Sequence, residues 1–124
     1  MSLSLFSRVF LLIGLLSTIS FSHKLYAASF ELPIESVATL IGRGIYVTGT
    51  VTSGSVNDGD SAQVITKSGA VLDVTIIGLE RPRELLTYAE KGDSIGVILK
   101  GATVEVVSRG DTLVIAQSDQ RKTQ

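Results

Sequence analysis

Ile45-Tyr46-Val47-Thr48-Gly49-Thr50-Val51-Thr52 is the stretch that decides the fold. Ile45, Val47 and Val51 alternate with Tyr46, Thr48, Thr50 and Thr52, the period of two that sends successive side chains to opposite faces of a strand. β-Branched and aromatic residues dominate it, as suits a pleated surface buried on one side. Gly49 interrupts the inward row and marks either a bulge or a close approach of another backbone. The same alternation returns downstream. Leu72, Val74 and Ile76 alternate with Val71, Asp73, Thr75 and Ile77, and Ile95, Val97 and Leu99 alternate with Gly96, Ile98 and Lys100.

Between these runs lie turn residues tolerant of positive φ: Asn57-Asp58-Gly59-Asp60, Lys67-Ser68-Gly69, Lys91-Gly92-Asp93 and Ser108-Arg109-Gly110-Asp111. Lys67-Ser68-Gly69 suits a hairpin with a bulge. Short strands at such spacing, broken by glycine-bearing turns, signal an all-β sandwich or barrel. Only Arg83 to Glu90 has a helical flavour, and Pro82 at its head leaves a helix, a single turn and an irregular strand all open.

The chain begins differently. After one cation at Arg8, Val9 to Phe21 run apolar apart from small Gly, Ser and Thr, and Ser22-His23-Lys24 then leads to Leu25-Tyr26-Ala27-Ala28. The apolar run falls short of the roughly 20 residues that span a bilayer. The layout predicts a signal peptide over 1–27, cleaved after Ala27, an exported protein in the periplasm or outside the cell, and no stable membrane span after cleavage. Removing 27 of the 124 residues leaves nine Lys+Arg against twelve Asp+Glu, a net charge of −3, and no His. The polar stretch 118–124 is expected to be a disordered tail.

These counts exclude chemistry. With no Cys and no mature His, neither a Ser-His nor a Cys-His nucleophile can be assembled, and there is no disulfide framework or zinc finger. The acidic balance lacks the cationic excess with which proteins hold phosphate backbones. Gly44 and Gly49 have the spacing of a phosphate loop, but Thr50-Val51 follow where Lys-Ser/Thr is needed. Asp58 and Asp60 lack the later glutamate of a calcium loop. Arg109-Gly110-Asp111 spells an adhesion tripeptide in what reads as a turn, and Glu80, Arg81, Arg83 and Glu84 read as a surface charge cluster.

Longer motifs are more specific. Phe30-Glu31-Leu32-Pro33-Ile34-Glu35-Ser36-Val37, Gly42-Arg43-Gly44-Ile45-Tyr46-Val47-Thr48-Gly49-Thr50-Val51 and Gly54 are followed by Gly78-Leu79-Glu80-Arg81-Pro82-Arg83-Glu84-Leu85-Leu86. Gly92, Gly96-Val97-Ile98-Leu99-Lys100-Gly101 and Arg109-Gly110 complete the series. In this order they resemble the second domain of elongation factor Tu and related translational GTPases, over about Phe30 to Ala116. The resemblance implies a closed antiparallel β-barrel, and with the strand reading gives about six or seven strands over 28–117. It also implies that Glu35, Thr48, Glu80 and Arg83 stand at positions the family uses around the terminal nucleotide of aminoacylated transfer RNA. Three neighbours depart from the family pattern: Ser36 replaces an acid, Ala38 an aromatic and Ser94 an asparagine. Loss of a stacking aromatic removes roughly 1–3 kcal/mol per base.

The expectation is therefore an exported, non-enzymatic binding module with no cofactor and no metal. Its ligand would be a protein or small molecule of the cell envelope, held at Glu35, Thr48, Glu80 and Arg83 or along a sheet edge. Nucleic acid is not expected as a partner of an exported form, and nothing in the sequence sets the oligomeric state. The alternative is a cytoplasmic translation-factor relative that binds aminoacyl-tRNA or ribosomes without GTPase activity of its own.

Overall fold

In the computed structural model, residues 28–117 are described; the expected signal peptide over 1–27, its expected cleavage after Ala27 and the polar stretch 118–124 lie outside the described residues. Each alternating run is a strand. In chain order the strands are β1 (Ala28–Pro33), β2 (Ser36–Leu40), β3 (Gly44–Thr50), β4 (Ser53–Asn57) and β5 (Ser61–Ile65), then β6 (Val71–Arg81), β7 (Glu84–Leu86), β8 (Tyr88–Glu90), β9 (Ser94–Lys100) and β10 (Thr112–Ala116). All pairings are antiparallel, in the ladder order β2-β3-β9-β6-β5-β10-β1-β4-β8, with β7 added beside β6.

Ten strands are found where six or seven were expected. The extra ones are short, and tertiary pairing rather than local pattern holds them. β7 and β8 replace the open reading of Arg83 to Glu90: three-residue strands pair with β6 and β4 respectively, and no helix forms there. The ladder has two free ends, at β2 and β8. Further backbone bonds extend existing ladders at their ends: Glu35 N donates to Thr48 O at 2.8 Å beside β2–β3, Val51 N to Asp93 O at 2.9 Å beside β3–β9 and Lys91 N to Gly54 O at 2.9 Å beside β4–β8.

The inward rows meet in one core. Phe30, Leu32, Ile45, Ile76, Leu79 and Leu99 are wholly buried, together with valines of β3, β4, β5 and β9. Each such side chain contributes roughly 1.5–3 kcal/mol through apolar burial. Gly49 is a close approach and not a bulge, because the β3–β9 register runs unbroken through it. A Cβ there would stand 2.3 Å from Pro33 O and 2.8 Å from Leu32 Cδ2.

The motif-like turns also take structural roles. Gly44 and Gly49 lie within β3, so their spacing makes no phosphate loop. Asp60 Oδ2 accepts from Asn57 N at 2.9 Å, closing the β4–β5 turn. Asp111 is buried, with Oδ1 accepting from Lys67 N at 3.1 Å and Oδ2 from Ser108 N at 2.8 Å. The carboxylate an adhesion receptor would need is thus spent inside the protein.

Candidate functional site

The outer faces of β3, β9 and β6 form the site. Cross-strand register sets Ser36, Thr48, Gly96, Glu80 and Leu85 in one row across five strands. Strands lie about 4.8 Å apart, so Thr48 and Glu80 stand roughly 10 Å apart across Gly96, over which the Tyr46 phenol lies. An open groove of about 490 Å³ lies here, and Glu35, Thr48, Glu80 and Arg83 all line it. The four residues taken from the resemblance thus converge on one concavity, although Glu35 and Arg83 are 48 positions apart in the sequence.

Each arrives by a local cause. Glu35 follows the Pro33-Ile34 link between β1 and β2, where its N–H bonds Thr48 O at 2.8 Å. The Thr48 hydroxyl bonds the Ser36 hydroxyl, and Thr50 bonds Ser94 in the same way at 2.9 Å. Ser36 and Ser94, two of the departures from the family pattern, thus tie hydroxyls along the rim. Arg83 occupies a two-residue turn between β6 and β7, since Arg81 and Glu84 are cross-strand partners. Pro82 holds φ near about −65°, as at the second position of a type II turn. The third position then requires positive φ, and Arg83 has φ 65°, the only non-glycine among the described residues to do so. Such a conformation costs a side-chain-bearing residue of order 1–2 kcal/mol. Glu84 turns back to Arg81, Nε to Oε2 at 3.6 Å, as an exposed pair worth little.

Tyr46 is the groove residue that sequence reasoning overlooked. Period two places it on the face of Thr48, and its ring lies across β9 above Gly96, so that a Cβ on Gly96 would overlap the phenol. Its cross-strand partner is Ala38, the position where the family's aromatic is lost, so the groove retains an aromatic wall one strand away. The Tyr46 pKa is raised above the usual 10.0, first by burial and then by the neighbouring Glu80 carboxylate, which favours the protonated phenol and repels a phenolate. No cluster of three His, Cys, Asp or Glu suited to a metal occurs among the described residues.

The whole is an antiparallel β module with a lateral groove, floored by glycine, walled by a tyrosine and rimmed by hydroxyls and charges of both signs. Residues 44–114 match the family model of elongation factor Tu domain 2, more than half of the chain. The chain belongs to that family, and the match includes Thr48, Glu80 and Arg83, while Glu35 lies just before it.

Proposed function

We propose that this protein is an exported, non-enzymatic binding module whose ligand sits in the Gly96 groove. The convergence of Glu35, Thr48, Glu80 and Arg83 on one open concavity carries this reading. The groove offers hydroxyls, three carboxylates, two guanidiniums and an aromatic face, and no nucleophile beside a base. Such a mixture suits a polar ligand with donors and acceptors, or an exposed protein segment, better than a polyanion. We infer that the sheet closes as a barrel through packing, where Gly49 of β3 stands against Pro33 and Leu32 of β1.

The test begins with the protein recovered from fractions of its own host. An intact mass starting at Ala28 in the exported fraction, and a partner captured by the native chain but lost in Glu80→Ala and Arg83→Ala, are the expected results. Capture unchanged by both substitutions would sink the groove as the binding site. A second reading has the same four residues behind it: a cytoplasmic relative holding aminoacylated transfer RNA. A full-length mass in the cytoplasm, with charged-tRNA binding that Glu80→Ala abolishes, would establish that reading in place of the first.

A further inference from the structure

Apart from the groove, the surface is uneven in a specific way. Of the seven large apolar side chains that stand exposed among the described residues, five sit at the end of the sheet away from Gly96. Ile41, 95% exposed, tips the β2–β3 turn; Ile65 and Val71, 56% exposed in the latter case, face each other at the base of the β5–β6 hairpin; Val104 and Val106 lie in the β9–β10 connection. Backbone contacts join the three segments. Gly44, ending the first, packs on Leu99 O; Gly101, opening the third, packs on Asp73 O; Gly110 packs under the Lys67 side chain, where a Cβ would lie 3.0 Å from Cδ and 3.5 Å from Nζ.

The same segments carry Arg43, next to Gly44, which packs on Leu99 O and Lys100 Cα, and Arg109, next to Gly110, which packs under Lys67. Four acids lie on the same or adjoining segments, Glu35 among them, since it follows Ile34, whose carbonyl accepts from Gly110 N at 2.9 Å. Asp73 accepts a bond from Gln63 Nε2 at 3.3 Å, Glu105 accepts one from the Thr103 hydroxyl at 3.3 Å, and Asp111 is buried with both oxygens taken by backbone N–H groups. Between the hairpin and the connection runs a second groove of about 390 Å³, lined by Lys67, Thr66, Ser68 and Ser108 with Leu72 and Val106 beside them. Cations and hydroxyls, rimmed by apolar side chains at loop tips, match the layers of a lipid interface: phosphate outside, acyl chain beneath.

We propose that this end of the protein docks on an anionic phospholipid surface, with Lys67, Arg109 and the hydroxyls at the phosphates and Ile41, Val71 and Val106 dipping below them. The apolar members select lipid. A nucleic acid backbone would use the cations and leave three exposed β-branched side chains in water. β6 rises about 3.3 Å per residue, so Val71 at its start stands roughly 30 Å along the strand from Glu80 of the Gly96 groove, whereas Arg109 lies closer, next to Gly110, whose N–H bonds the carbonyl of Ile34 beside Glu35.

The absence of Cys makes the test clean. Ile41→Cys, Val106→Cys and, as the distant control, Leu85→Cys are made singly in the full chain and labelled with an environment-sensitive fluorophore. Vesicles rich in phosphatidylglycerol are compared with pure phosphatidylcholine. The labels at 41 and 106 should shift to the blue on phosphatidylglycerol vesicles alone, and the label at 85 should stay in water. Because the reporter is local, the outcome is independent of whether the apolar segment 9–21 is itself in the bilayer. Each juxtamembrane cation contributes about fivefold, so Lys67→Gln with Arg109→Gln should lower the docked-to-undocked ratio roughly 25-fold. No shift at 41 and 106, an equal shift on phosphatidylcholine, or a shift at 85 as large as at 41 would each overturn the proposal.

Discussion

Replacing Gly96 by alanine tests the architecture of the groove most directly. The Gly96 φ is not in the left-handed region, so alanine is conformationally permitted, and in a strand it is intrinsically better than glycine by roughly 0.5–1 kcal/mol. The obstacle is Tyr46. The added Cβ would fall 2.3 Å from Cζ and 2.6 Å from Cε2, so the ring must swing off β9 toward solvent. If it exposes about 80 Å² of apolar surface, the loss is about 2 kcal/mol at 25 cal/mol per Å². The net destabilisation is then about 1 kcal/mol, a fall in Tm of about 4–8 °C for a domain of this size. Thermal unfolding by circular dichroism measures it, and the double-mutant cycle with Tyr46→Ala isolates the cause. In the Tyr46→Ala background the alanine at 96 has no ring to displace, and it should become neutral or stabilising. Tyrosinate absorbance gives a second readout: in Gly96→Ala the Tyr46 titration should return toward 10.0, because burial and Glu80 no longer act on the phenol. A cost at 96 that persists in full without the Tyr46 ring would refute the reasoning.

Four further expectations follow, three from other contacts and one from the Tyr46 phenol. Gly49→Ala drives a methyl into Pro33 O, a backbone atom that cannot swing aside, so it should cost at least 2–3 kcal/mol and lower the urea midpoint accordingly. Arg83→Gly removes the left-handed strain of order 1–2 kcal/mol while adding unfolded-state entropy of 0.5–1, so Tm should hold or rise by a few degrees even as ligand capture is lost. Asp111→Ala leaves the Lys67 and Ser108 amides without acceptors and should destabilise by about 3 kcal/mol, whereas Arg109→Ala, in the same tripeptide, should leave the urea midpoint within error. In alkali, both folded and unfolded chains keep the Tyr46 proton below pH 10.0; above it the unfolded chain releases the proton first, so wild-type stability should fall there, and less so in Tyr46→Phe.

The strands were legible where alternation was long enough to stand alone. β3 and the first part of β6 present an inward row of Val, Ile and Leu with one sensible orientation, while β9 reads as an almost continuous apolar run and is buried on both faces from Ile95 to Leu99. β7 and β8 were not legible, because three residues carry no period and their pairing partners lie elsewhere in the chain. The four groove residues came from resemblance, since nothing local says that Glu35 and Arg83 meet. Tyr46 was readable in principle, two positions from Thr48 and so on its face, yet the aromatic expected at position 38 drew attention to the wrong strand. The basic end escaped for a plainer reason: Arg43, Lys67, Lys100 and Arg109 are scattered through the chain and become neighbours only through turns.

Glu80 shows how a register irregularity builds the groove. Val74 and Ile76 point into the core, so an uninterrupted alternation would carry Gly78 and then Glu80 inward and leave Leu79 in water. The β6–β9 ladder instead shifts between Ile76 and Gly78, with Ile76 opposite Leu99 and Gly78 opposite Ile98. Ile77 is the extra residue. The shift inverts the phase, so Leu79 is buried while Glu80 faces out beside Tyr46. Both halves of this exchange favour the bulge. Burying an unpaired carboxylate costs several kcal/mol, and exposing Leu79 would forfeit roughly 1.5–3 more. Those terms together outweigh the ladder bond a bulge disrupts, which is worth about 1 kcal/mol net. Deletion of Ile77 therefore separates phase from geometry. The remaining pairs keep Glu80 opposite Gly96 in a regular ladder, so the deleted chain should fold; what it loses is the local bend that sets Arg81 to Glu84 against the groove. Retained folding with lost ligand capture is the expected result, and a chain that fails to fold at all would show that the bulge serves the core and not the site.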